Sequence, residues 1–199
     1  MNFPLFINHT LKIFFILTPF FVLSAFISMT QEMSEKEKKC LAIRVTKAVI
    51  IISFCIFLFG KYLFDLFGIT LDAFRIGAGS ILFLSGVSMV GGTSKIKSAG
   101  EGDDIAVVPL ALPMTVGPGV IGVMLLFGAE TASLAAKLQV GAAIFTASAM
   151  VGTMLYFSQL MEKRVGKQGV VILSKVTGLM ISAISAQIIF TGIRNFLLV

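Results

Sequence analysis

Apolar residues run along this chain in six long blocks, residues 11–29, 48–67, 74–90, 105–128, 138–160 and 170–198, separated by short polar intervals. About 20 apolar residues rising ~1.5 Å each cover the ~30 Å hydrocarbon core of a bilayer, so each block predicts a transmembrane helix. The intervals are turn-like. Residues 31–47 are rich in Lys and Glu, and Ser34 followed by Glu37 predicts a capping box that starts a helix. Phe67-Gly68-Ile69-Thr70 predicts a tight turn, and residues 162–167 a basic one. Residues 91–104 carry Lys95, Lys97, Glu101, Asp103 and Asp104 without the glycine-punctuated ligand spacing of a calcium loop, and read as a solvated loop.

Two of the six blocks are broken. The first contains Thr18-Pro19, and the fourth contains Pro109, Pro113, Gly117, Pro118, Gly119 and Gly122. Proline lacks an N–H and clashes with the carbonyl four residues earlier, so the carbonyls of Ile105, Pro109 and Met114 lose their helical partners. Hydrocarbon cannot satisfy them. A helix broken at that depth is tolerated only when it is packed against protein or lines a wet cavity, which makes both breaks candidate binding sites. A kink kept for helix packing is the alternative. For the first block a cleavable leader is a second alternative, with Lys12 ahead of the apolar run and Val22-Leu23-Ser24 as a cleavage site. The counterpart of Thr18-Pro19 later in the chain argues against it.

That counterpart belongs to an internal repeat. Thr18-Pro19 matches Gly117-Pro118 at an offset of 99, Phe67-Gly68 matches Val165-Gly166 at 98, Arg75-Ile76 matches Lys175-Val176 at 100, and Gly92 matches Gly192. A unit with three spans reappears upside down when repeated in one chain, an arrangement found in many secondary transporters. The expected fold class is therefore all-α: a polytopic membrane protein of six transmembrane helices, built as two inverted three-helix repeats (residues 1–98 and 99–199) in one membrane domain, with helices 1 and 4 broken.

Composition agrees with a bilayer and narrows the function. The 199 residues are 57% hydrophobic and 13% charged, with a mean hydropathy of +0.99, more apolar surface than a soluble core of this size buries. The net charge of +6 does not mark a nucleic-acid binder, because the basic residues cluster in the intervals between spans. Eleven Lys and Arg fall on one side (36, 38, 39, 44, 47, 95, 97, 163, 164, 167, 175) and five on the other (12, 61, 75, 137, 194). The richer side is expected to be cytoplasmic and both termini outside, in a multi-pass cytoplasmic (inner) membrane protein. Cys40 and Cys55 lie on one predicted helix roughly 22 Å apart, too far for a disulfide.

The breaks suggest the chemistry. Pro at the first helical position, preceded by Thr or Gly, marks Thr18-Pro19 and Gly117-Pro118 as starts of half-helices. The amides of residues 20–22 and 119–121 would then face the midplane with the positive end of the helix dipole, a setting for a carboxylate. Gly117 and Gly119 leave room for a ligand to reach the backbone, Thr18 and Thr115 add hydroxyls, and Gln187 adds an amide. The candidate substrate-binding residues are Thr18, Pro19, Thr115, Gly117, Pro118, Gly119 and Gln187. Ser85, Ser88, Ser182 and Ser185 read as packing or interhelical hydrogen bonds. Asp65, Asp72, Glu130 and Glu162 fall near span ends and His9 is the lone histidine, so no acid or imidazole is placed at mid-membrane to relay protons. No nucleophile–base pair, metal set or cofactor motif is found, and no enzyme activity is expected.

Three blocks carry a family resemblance. Phe67-Gly68-Ile69-Thr70-Leu71-Asp72-Ala73-Phe74-Arg75-Ile76-Gly77-Ala78-Gly79, Val108-Pro109-Leu110-Ala111-Leu112-Pro113 with Gly117-Pro118-Gly119, and Val176-Thr177-Gly178-Leu179 with Gln187 and Gly192, resemble the MarC family of bacterial and archaeal inner-membrane proteins. The resemblance covers nearly the whole chain. It implies six spans and a kinship with small neutral amino acid transporters and the lysine-exporter superfamily. The first span departs from the family, which reads Asn-Pro-x-Gly followed by another Pro, where this chain has Thr18-Pro19-Phe20-Phe21 and Ser24. Phe21 in place of glycine narrows the approach to the first half-helix.

The function expected is a secondary carrier or facilitator for small neutral solutes bearing a carboxylate, amino acids above all. The alternative is a non-transporting membrane scaffold or stress-response protein. The expected partners are the lipid bilayer and the solute; a homo-oligomer is compatible with the pattern and not specified by it.

Overall fold

The computed structural model describes residues 3–91, 110–111, 115–131 and 133–197. The loop at 92–104, Ile105, Pro109, Pro113 and Met114 lie outside the described residues. Among the described residues seven helices follow one another: α1 (Phe3–Ile16), α2 (Pro19–Met29), α3 (Glu35–Phe67), α4 (Leu71–Gly91), α5 (Pro118–Glu130), α6 (Leu134–Tyr156) and α7 (Ser158–Leu197). Stretches of α3 (Glu35–Gly60), α4, α6 and α7 (Gln168–Leu197) are each long and apolar enough to cross a bilayer. The pair α1 and α2 adds a fifth candidate span, bent by 41° at its break, and α5 is a shorter apolar helix.

Helix starts follow local chemistry rather than the edge of the apolar block. Ser34 caps α3 as its spacing to Glu37 predicts: the Ser34 amide donates to Glu37 Oε2 at 2.8 Å and the Glu37 amide donates back to Ser34 Oγ at 3.4 Å. The charged interval is therefore the first turns of a 33-residue helix, not a turn before it. Lys and Glu are good helix formers, so nothing stops the helix short of its cap. Gly68 ends α3 in the left-handed conformation (φ 62°), and Thr70 Oγ1 accepts from the Ala73 amide at 3.3 Å to open α4. The basic turn expected at 162–167 is largely helical: α7 begins at Ser158 and bends at Gly166, also at positive φ (74°).

Small residues set the packing. The α4–α7 seam is the most extensive and runs antiparallel. A Cβ on Gly86 would lie 2.8 Å from the Gly178 carbonyl, one on Gly79 would lie 3.3 Å from the Ser185 carbonyl, and one on Gly192 would lie 2.8 Å from the Asp72 carbonyl. Close backbone approach of this kind replaces the hydrophobic effect as the cement between helices in lipid. Hydroxyls on the seam bond within their own helix: Ser85 Oγ donates to the Ile81 carbonyl (2.9 Å), Ser182 Oγ to Gly178 (2.9 Å) and Ser185 Oγ to Ile181 (2.6 Å). The carbonyl four residues back is always within a hydroxyl's reach, and it wins over a neighbouring helix.

The other main pairings are α1 with α6, α2 with α7, α3 with α5 and α6, and α4 with α5, with smaller contacts of α2 with α6 and of α7 with α1 and α6. Their shared core surrounds the two breaks. Leu17 and Val22 flank the first, Val116 and Val120 flank the second, and all four are buried. At the first break, where Thr18 and Pro19 are buried as well, irregular backbone is thus covered by protein, the condition a bilayer imposes. On the outside, Ile51, Leu58, Leu84, Phe145 and Leu179 each expose more than half of their surface in mid-helix, which is stable against lipid and costly against water. Cys40 and Cys55 are free and exposed on α3.

Candidate functional site

At the first break, α1 closes with a short bond from the Thr18 amide to the Phe15 carbonyl (3.0 Å), and α2 opens with Pro19 at its first position. Thr18 takes φ 52°, the one non-glycine residue described at positive φ. For a β-branched residue that conformation costs roughly 1–2 kcal/mol. Its side chain is buried, makes no cap bond, and Oγ1 has no hydrogen-bond partner. A buried hydroxyl without a partner in a strained residue is costly twice over, the signature of a position held for something other than stability. The Val22 amide donates to the Thr18 carbonyl at 3.0 Å, so the α2 ladder begins at residue 22. This trims the expected set: Val22 is spent, and Phe20 and Phe21 remain as the amides without a helical acceptor.

The second break is built differently. Before it the Val116 amide donates to the Ala111 carbonyl at 2.9 Å, five residues back, and Thr115 Oγ1 donates to the Leu110 carbonyl at 2.7 Å. A backbone bond of this π type is frequent at functional sites. Thr115 is fully buried and its hydroxyl is already bonded. Gly117 caps α5 in an extended conformation (φ −79°), and the Ile121 amide donates to its carbonyl at 2.9 Å, leaving the amides of Gly119 and Val120 without helical acceptors. The space beside Gly119 is not open to a ligand. A Cβ there would lie 2.9 Å from Leu82 Cα, so α4 occupies it. Pro19 is buried and Pro118 is exposed.

These two groups of residues pack on different partners, α2 on α7 and α6, and α5 on α3 and α4. Gln187 is on α7. It lines a cavity of about 210 Å³ together with Lys12 and Ile16 of α1, Arg75 of α4, Val123 and Glu130 of α5, and Thr191 of α7. Of the seven candidate binding residues Gln187 alone lines this cavity; Ile16 is two residues before Thr18 and Val123 is five after Pro118.

An ion-pair network borders this cavity. Arg75 donates through Nη2 and Nε to Glu130 Oε1 at 2.6 and 3.1 Å, pairs with Asp72, and Asp72 Oδ1 accepts from Asn195 Nδ2 at 3.2 Å. It ties together the start of α4, the end of α5 and the end of α7. Spacing alone hints at Asp72–Arg75, one helical turn apart, but the Glu130 partner is 55 residues away and has no local signal. His9 is the other residue that pattern reading passes over: its ring sits edge-on to Phe127 with centroids 5.6 Å apart, and Nδ1 is buried without a partner.

A multi-pass, all-helical chain with an apolar belt and a broken span is an integral membrane protein. Its sequence matches the model for the MarC family integral membrane protein over residues 3–197. Similar relatives include the UPF0056 membrane protein MJ1677 of Methanocaldococcus jannaschii, 34% identical with all of both chains covered. A UPF0056 membrane protein of Aquifex aeolicus is 30% identical over 97% of this chain and 94% of its own. The UPF0056 membrane protein YhcE of Escherichia coli is 25% identical over 98% and 94%. The chain belongs to the MarC family. No solved structure matches it.

Proposed function

We propose that the protein is a carrier or facilitator for small neutral solutes bearing a carboxylate, with amino acids as the main class. The observation that carries this reading is Thr18: a strained, buried hydroxyl without a partner, beside the amides of Phe20 and Phe21, at the break in a membrane span. Dipole and bare amides together favour a carboxylate at that point. The cavity of about 210 Å³ that Gln187 and Ile16 line is below the ~300–1,000 Å³ of drug-sized pockets, which favours a small solute over a bulky one.

An inverted repeat is the arrangement we infer, and the helix pairing supports it. Exchanging the halves maps α2 on α7 to α5 on α4, while α3–α6 and α4–α7 map to themselves; α3–α5 is more extensive than its counterpart α2–α6, and the stretch matching α1 lies largely outside the described residues. Gly68 and Gly166, both at positive φ, precede the third span of each half. In this scheme the cavity opens on the less basic, outer face, the basic face is cytoplasmic, and the halves rock about the breaks. One observation favours the non-transporting alternative: Gly119 and Thr115 are used up in packing and local bonding.

Thermal unfolding of detergent-purified protein with a panel of amino acids and their amides tests the proposal, since a binder of the folded state raises its stability. Stabilisation by neutral amino acids and not by their amides, lost in Thr18→Ala and Gln187→Leu, is expected. No stabilisation by any carboxylate-bearing solute, with unaltered folding of both variants, would overturn it.

A further inference from the structure

On the face of the molecule opposite the Arg75 network, α3 and α6 carry a second feature that solute handling does not use. The start of α3 and the junction of α6 with α7 enclose a pocket of about 200 Å³ lined by Lys38, Lys39, Lys163, Glu35, Ser158 and Gln159, together with Tyr156 and Phe157. Three ammonium groups against one carboxylate leave it a net charge of +2. Lys39 Nζ lies 5.5 Å from the centroid of the Tyr156 ring, a cation–π contact that holds the amine at the pocket mouth.

Tyr156 and Phe157 also line an adjoining groove of about 310 Å³, shared with Ile43, Lys47, Ala149, Gly152 and Thr153. The groove follows from helical spacing. Ile43, Thr46 and Lys47, three and four residues apart, share one face of α3, and Ala149, Gly152, Thr153 and Tyr156 form a matching stripe on α6. Gly152 lets α6 close on Thr46, and small side chains on either side leave a trough facing the hydrocarbon. From Tyr156 to Ala149 the trough runs about 10 Å along α6, beside the membrane-spanning part of α3. Half-exposed Tyr156 and Phe157 lie at its upper end, where aromatic rings favour the water–lipid boundary.

A basic pocket at the boundary continuous with an apolar trough in the membrane matches one amphiphile. We propose that this site holds an anionic glycerophospholipid, its phosphate on Lys38, Lys39 and Lys163 and one acyl chain along the trough. The excess of two positive charges disfavours a zwitterionic headgroup, and the trough has no use for a free anion. Basic pockets between transmembrane helices recognise acidic lipid headgroups in this way.

Native mass spectrometry of the full chain with dioleoyl phosphatidylglycerol or dioleoyl phosphatidylcholine, alongside circular-dichroism melting with each lipid and with inorganic phosphate, tests the proposal. Retained phosphatidylglycerol and a higher melting temperature are expected, with phosphatidylcholine giving neither. Lys39→Gln with Lys163→Gln weakens phosphatidylglycerol binding by about 25-fold, at about fivefold per lysine, while melting in phosphatidylcholine stays as in the parent. The Lys→Arg pair retains binding. Thr153→Trp, which fills the trough from its exposed side, weakens phosphatidylglycerol alone. Equal retention of the two lipids overturns the proposal. So does stabilisation by inorganic phosphate as large as that by phosphatidylglycerol, with Thr153→Trp silent, because the pocket is then a free-anion site.

Discussion

Replacing Thr18 with glycine separates what the first break does for stability from what it does for a ligand. The native residue is held at φ 52° with its hydroxyl buried and unbonded. Glycine relieves about 1–2 kcal/mol of left-handed strain and removes an unpartnered hydroxyl worth about 1–3 kcal/mol. Against this stand about 0.4–1 kcal/mol for the freer unfolded chain and ~0.8 kcal/mol for the lost methyl packing, an upper figure where lipid is the alternative solvent. Thr18→Gly is therefore expected to be more stable than the parent by about 2 kcal/mol, within a range of roughly 0–4, measured by equilibrium unfolding followed at 222 nm. Amino acid binding should weaken in the same variant, and Thr18→Ser, which keeps the hydroxyl, should retain it. A Thr18→Gly protein destabilised by more than about 1 kcal/mol would refute the reasoning, because the hydroxyl would then have a structural partner that its loss exposes.

The glycines offer a paired prediction: Gly86→Ala places a methyl against the Gly178 carbonyl and should cost ~1–3 kcal/mol, whereas Gly77→Ala, which meets nothing within 4 Å, should stabilise α4 by up to about 1 kcal/mol. Thermal melts of the two variants side by side check it. Glu130→Gln should weaken the tie between α4 and α5 by about 1 kcal/mol and make unfolding less salt-dependent, since Arg75 is only partly exposed and Glu130 about a third exposed. Gly119→Leu should fail to fold normally whatever the protein does, because Leu82 already fills the space. Ser34→Ala should lower stability by about 1 kcal/mol through loss of the capping box, read by the same melts.

Features written in neighbouring residues were legible before the structure. The Ser34–Glu37 cap, the Gly68 turn and the half-helix starts at Pro19 and Pro118 each depend on a few adjacent positions, and each appears where its chemistry places it. Helix lengths were less so. Hydropathy marks where lipid begins, not where a helix does, so α3 extends back to Glu35 and α7 to Ser158 through charged residues that are content in a helix. The site was the least legible part. The cavity is assembled from α1, α4, α5 and α7, and Arg75 meets Glu130 across 55 residues, pairings that only the tertiary packing decides. Gly119 shows the same limit: an absent side chain is equally suited to a ligand or to a neighbouring helix, and Leu82 supplies the helix.

Whether the protein moves amino acids is decided by proteoliposome exchange of labelled neutral amino acids. Saturable exchange above that of protein-free vesicles is expected, competed by the unlabelled amino acid and not by its amide, and abolished by Thr18→Gly in protein that melts no lower than the parent. Flux indistinguishable from empty vesicles across the panel, from protein shown to be folded, would contradict the carrier reading.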